Sequence, residues 1–196
     1  PLSLYSGAQA TVTGVSAVRS QGIDIGASNG SVTVSRVRIT ASQSAPGLAI
    51  NSGGATTLAD VQVNQTNSLG ITILGVGENA PMRILRSQAN GNTGPGISLS
   101  GSGRMLISQV EASNNNAFGM TLSNNASQPK GWWVTVQQSS FNNNKPGFGA
   151  YISSTGGVQM KKISASNNGA QGARVEIPTS ANFQMSGKPG DNVFQS

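Results

Sequence analysis

The chain has no cysteine and no histidine, and only 9% of its 196 residues are charged, about a third of the usual quarter. The first two absences exclude a disulfide framework, a zinc finger, a thiol nucleophile and a Ser-His-Asp triad built within this sequence. Carboxylates, hydroxyls, amides, Lys/Arg and aromatic rings are left to carry any chemistry. No segment approaches the ~20 consecutive apolar residues of a helical membrane span. The sequence begins without Met, a basic n-region or an apolar h-region, so a mature product or an excised piece of a longer chain is expected. Helical periodicity is also missing, because Gly and Asn interrupt every candidate window.

Lys plus Arg number 12 against 6 Asp plus Glu, giving +6 and a pI near 10.4. The cations are scattered from Arg19 to Lys188, with no run longer than Lys161-Lys162. Nucleic-acid readers cluster them, so the charge favours acidic surfaces without pointing to nucleic acid.

What is abundant is glycine, 26 residues of it, and it recurs in a phrase. A Gly followed by apolar-x-apolar begins at Gly22, Gly47, Gly70, Gly96, Gly119, Gly149 and Gly172, in steps of 25, 23, 26, 23, 30 and 23 residues. Between these lies a second phrase with apolar or small residues at relative positions 0, 2, 5 and 7. Examples are Val32/Val34/Val37/Ile39, Met105/Ile107/Val110/Ala112 and Val158/Met160/Ile163/Ala165. A step of two is strand alternation, and the jump of three marks a corner between strands.

Each period therefore predicts three short strands and three corners. Such a unit cannot bury its apolar side alone, so successive periods must stack around one core. Three positions beyond each second phrase stand Ser20, Ser42, Thr66, Asn92, Asn115, Asn144 and Asn168. Asn accepts left-handed backbone and bonds locally to it, and stacking would align these side chains into a structural ladder.

On coil length, strand count and the Asn corner, about residues 10 to 177 resemble the right-handed parallel β-helix superfamily, which includes pectate lyases, polysaccharide epimerases, phage tailspikes and surface adhesins. The expected fold is all-β: one solenoid domain over 1–196, about seven coils of 22–30 residues, with an irregular partial coil at 178–196. Leu2 and Leu4 read as a leading strand, and Phe183 and Met185 as the start of a further coil. Neither end carries a capping amphipathic helix, although open solenoid ends expose strand edges. A longer parent chain, covering loops or a partner is therefore expected, with end-to-end or side-by-side self-association as one form of it.

The resemblance implies that any lyase or epimerase site would lie in a cleft on one outer sheet, with several carboxylates. The acids here are Asp24, Asp60, Glu78, Glu111, Glu176 and Asp191. None falls beside another on an adjacent coil, as paired-carboxylate chemistry requires. Calcium wants several oxygen ligands including carboxylates; loops such as Asn114 to Asn116 offer amides alone and would hold it only weakly, so no cofactor is expected beyond such weak calcium. The best remaining candidates are Trp133 and Tyr151 as a saccharide platform, with Lys130 and Arg174 available to an acidic sugar. A lyase centre would draw on Tyr151, Arg174 and Lys130. Phe118 and Phe148, each just before a Gly, read as core stacking. Two functions follow as expectations: a noncatalytic extracellular scaffold of adhesin or phage-fibre type that binds a glycan or protein, or an enzyme acting on an acidic polysaccharide.

Overall fold

The computed structural model describes residues 2–43, 45–75, 77–125 and 132–186 and the strand Val193–Phe194. Every strand pairing in it is parallel, and strands of successive coils neighbour one another in three sheets. The first sheet has eight strands, Leu2–Ser6, Ile23–Ala27, Leu48–Ser52, Ile71–Gly75, Ile97–Gly101, Met120–Asn124, Ala150–Ser154 and Ala173–Glu176. Leu2–Ser6 is thus the leading strand, and the other seven begin immediately after the Gly of each repeated phrase. Each such Gly turns its carbonyl to the coil before it: Ile23, Leu48, Ile71, Ile97, Met120 and Ala150 donate their N–H groups to Gly47, Gly70, Gly96, Gly119, Gly149 and Gly172 at 2.9–3.0 Å.

The second sheet runs from Ala10–Thr13 to Phe183–Ser186. The third is built as separate strands, Ser16–Val18, Arg38–Thr40 and Gln62–Asn64, in the early coils only. It continues as single bridges through Gln88, Glu111 and Ser140. In the late coils, Trp132–Ser140 and Gly157–Ala165 run from the second wall through the corner into the third.

Two corners of every coil rest on one left-handed residue each. Between the second and third walls these are Gly14, Arg36, Asp60, Arg86, Gln109, Gln138 and Lys162. After the third wall they are Arg19, Ala41, Gln65, Gly91, Asn114, Asn143 and Asn167. Most are not Gly, at a cost of about 1 kcal/mol each. The strand pairing on both sides holds the chain to that turn. The left-handed residue is thus the one before each ladder position, a correction to the expectation that the ladder Asn itself adopts this backbone.

The apolar positions of both phrases point into a single core that runs the length of the solenoid. Its volume is balanced coil by coil. Met82 Cε occupies the space that a Cβ on Gly75 or Gly101 would need, 2.4 and 2.5 Å away. The large unbranched side chain and the missing ones compensate.

At the ends the core is open. Leu2, Leu4 and Val18 are exposed at the first coil, and Phe183 and Met185 at the last. There an apolar cavity of about 400 Å³ lies among Met160, Ala173, Val175, Ile177, Phe183 and Met185. Among the described residues, no helix is long and apolar enough to cross a membrane.

Candidate functional site

The corner row is a continuous hydrogen-bonded ladder from Thr66 onward. Asn92, Asn115, Asn144 and Asn168 are buried, and each offers its Oδ1 to the coil before it. Asn115 Oδ1 accepts from the backbone N and Nδ2 of Asn92, both at 3.0 Å. Asn144 does the same for Asn115 at 3.0 Å, and Asn168 for Asn144 at 2.9 and 3.1 Å. Asn92 accepts from Thr66 N and Oγ1 at 3.0 and 2.9 Å. The repeated Gly makes room for this: a Cβ on Gly96, Gly119 or Gly149 would lie 2.6 Å from the Nδ2 of Asn115, Asn144 or Asn168. Ser42 instead bonds within its own loop, to Ala45 O at 3.3 Å. At the last rung, Asn168 Nδ2 is buried without a partner.

The functional candidates separate onto different walls. Tyr151 and Arg174 face outward from the first sheet as direct neighbours on successive coils. Tyr151 Oη donates to Glu176 at 2.6 Å, and Arg174 pairs with the same carboxylate at 2.7 Å. The hydrogen bond to Glu176 raises the phenol above its ordinary pKa. Received by Glu176, with Arg174 alongside, it holds that carboxyl below the usual range.

Beside them lie Phe118 and Phe148, half-buried and outside the core, which corrects the expectation of core stacking. Their centroids are 5.7 Å apart, Phe148 is 6.0 Å from Tyr151, and the Arg174 guanidinium sits 5.9 Å from the Phe148 centroid. The outcome is a row of three rings on the outer surface. It flanks a hydroxyl column of Thr72, Ser98 and Thr121, which pair in register.

Trp133 is not part of this row. It belongs to a second-sheet strand and packs on Gly156, beyond the far end of the strand that carries Tyr151. Tyr151 is followed by about 10 Å of strand to Ser154 and then by the bend at Thr155 and Gly156. The structure therefore divides the expected Trp133–Tyr151 platform between two surfaces. Lys130 and Asp191 lie outside the described residues.

Of the described carboxylates, Asp24 accepts from Tyr5. Asp60 takes a two-pronged contact from Arg86 at 2.8 and 3.0 Å, which lowers its pKa. Glu111 is 3.5 Å from Gln88 Nε2, and Glu78 is also engaged. Asp24 has Ser3 and Ala49 as column neighbours, Glu111 has Gln88 and Ser140, and Glu176 has Ser153. Among the described residues no metal-binding group of three acidic side chains forms. Sequence reasoning passed over a polar groove of about 410 Å³ on the third wall, lined by Gln62, Arg86, Gln88, Gln109, Glu111 and Gln138. Its signal was the recurrence of Gln at and beside the left-handed corner.

Neither the curated proteins nor the solved structures contain a match to the chain. A family model described as the right-handed beta helix region matches residues 3–186, and with its parallel three-walled coils the chain belongs to the right-handed β-helix family.

Proposed function

We propose that the protein is a noncatalytic extracellular β-helix, of surface-adhesin or phage-fibre type, that binds a glycan on the outer face of its first sheet. The row Phe118, Phe148 and Tyr151 carries this reading. Flat apolar faces beside a column of hydroxyls match a saccharide, whose rings present C–H faces and hydroxyl edges. Tyr151 sits on a paired strand, and Phe118 and Phe148 sit on corners whose carbonyls accept from Gly96 N and Gly119 N at 3.0 Å, so little freedom is lost on binding.

The charged groups support binding without turnover. A lyase or epimerase centre at Tyr151 needs a phenolate base, whereas Glu176 holds this phenol protonated and also engages Arg174. Paired-carboxylate hydrolysis needs two neighbouring acids, and the described acids each have other partners.

Screening the chain against neutral and acidic oligosaccharides tests the reading. Binding should weaken about tenfold in Phe148→Ala, the loss of one good stacking contact. Release of unsaturated product from an acidic polysaccharide, abolished in Tyr151→Phe, would overturn it in favour of the enzyme.

A further inference from the structure

We propose a second binding site, on the outer face of the second sheet, for a saccharide unit that carries a sulfate or carboxylate. It takes the class of ligand from the glycan reading above but stands on a different wall. The site is a cavity of about 290 Å³ lined by Pro81, Arg83, Arg104, Leu106, Trp133 and Thr135 among others. That is near the lower end of ligand pockets, suited to a small ring.

Its cations differ from the two that are ion-paired. Arg86 and Arg174 are ion-paired, whereas Arg83 and Arg104 are exposed and have no carboxylate partner among the described residues. Met82, Met105 and Val134 are in register on successive coils. Arg104 and Trp133, each one residue before that line, are therefore stacked neighbours, with ~4.8 Å between their strands. Arg83 lies one coil back and two residues along, its Cα about 8 Å from that of Arg104. Both guanidiniums reach one anion placed between them, and each brings a planar fork of donors.

Trp133 is set apart by the backbone. The pairing passes from Trp132↔Gly157 to Val134↔Val158, leaving Trp133 as the extra residue of a bulge. Bulges re-aim a side chain in this way. The indole lies against Gly156, where a Cβ would fall 2.4 Å from its Cδ1. Its Nε1 is buried, with no acceptor among the described residues, so the indole offers the cavity its ring and not its N–H.

A ring face next to two unpaired guanidiniums fits an anionic sugar better than a nucleic-acid strand. A strand needs a track of cations along its phosphates, but the column of Arg83 continues as Leu106 and Thr135.

Titration calorimetry on the intact chain tests the site with four probes: a heparin-derived tetrasaccharide, tetragalacturonate, neutral maltotetraose and inorganic sulfate. At least one acidic tetrasaccharide should bind in a salt-sensitive way, and maltotetraose should not bind at this site. Affinity should fall about tenfold in Arg104→Gln and in Arg83→Gln, the loss of one charge-assisted contact. These side chains are exposed, so both variants should fold. Trp133→Leu and Gly156→Ala should weaken the saccharides but leave sulfate unchanged.

Absence of binding by both acidic probes overturns the proposal, as does unchanged affinity in both Arg variants. Sulfate binding as tightly as the saccharides, or a thymidine decamer binding more tightly than either, also overturns it. Binding lost in Phe148→Ala and kept in Arg104→Gln would refute this site and leave the first-sheet reading standing. The opposite pattern would refute that reading and leave this site.

Discussion

The corner after the third wall is held in two ways along the same solenoid. In the first coils Ser20 and Ser42 bond inside their own loops, to Gly22 N and Ala45 O at 3.2 and 3.3 Å. From Asn92 onward the amides bond between coils, two contacts per step. Thr66 is the transition between them: its single hydroxyl proton is shared among Ser68 O and Leu69 O of its own loop, at 2.9 and 3.1 Å, and Asn92 Oδ1 of the next coil at 2.9 Å. An amide accepts from one neighbour and donates to the other. Stability in a solenoid is a sum of unit and neighbour terms, so the amide half should unfold more cooperatively than the hydroxyl half.

The strongest way to break this comparison is to remove one side chain from each half. Asn115→Ala leaves the buried backbone N–H of Asn92 without its side-chain acceptor and its Nδ2 with Val63 O alone, at 3.3 Å, at a cost of about 3 kcal/mol. Ser42→Ala loses one long local bond and should cost about 0.5 kcal/mol. Equal losses in denaturant unfolding would dissolve the distinction.

Gly96→Ala places a Cβ 2.6–2.8 Å from Asn115 Nδ2, Ala89 O and Gly119 O. Crowding of this kind costs about 2 kcal/mol. Because both changes strike one rung, the double variant with Asn115→Ala should fall short of the sum. Strict additivity would separate Gly from ladder.

Ala41, at φ 57°, tests whether the hydroxyl half is loosened by its backbone. Ala41→Gly should stabilise by about 0.5 kcal/mol, the relief of the left-handed Cβ less the added freedom of the unfolded chain. Destabilisation would mean that the corner is not strained.

The smallest effect concerns pH. The ladder does not titrate, so dependence on pH belongs to the outer faces. Glu176 and Asp60 have lowered folded pKa values. Their stabilisation is present above the ordinary carboxyl range and is lost as pH falls through the lowered values. Tyr151 is raised from 10.0; its contribution holds below that value and is lost as pH rises through the folded one. Melting temperature should be flat between these limits, and Glu176→Gln should flatten part of the acid limb. A change near neutral pH would contradict this account.

The fold was legible because its pattern is redundant. Each coil repeats the inward alternation, and each Gly phrase opens a first-sheet strand. Even the reason that Gly and Asn recur together was half visible, as two phrases at fixed spacing; their meeting across coils, as at Gly96 and Asn115, was not. Alternation carried back through the Gly points Phe118 and Phe148 inward, and the structure does not follow it. The strands start after that Gly, and the corner resets which side faces inward, so the rings emerge on the outer surface.

The surfaces had no comparable redundancy. Arg83, Arg104 and Trp133 are far apart in sequence and follow no period. They share a cavity only because coils of unequal length bring them into adjacent columns and a bulge adds Trp133 to its strand. The sequence by itself determined the coil, its core and its Asn corner, because these repeat under one steric rule. Tertiary structure alone decided which rings and charges share a surface, because that depends on stacking register and corner turns that no local pattern encodes.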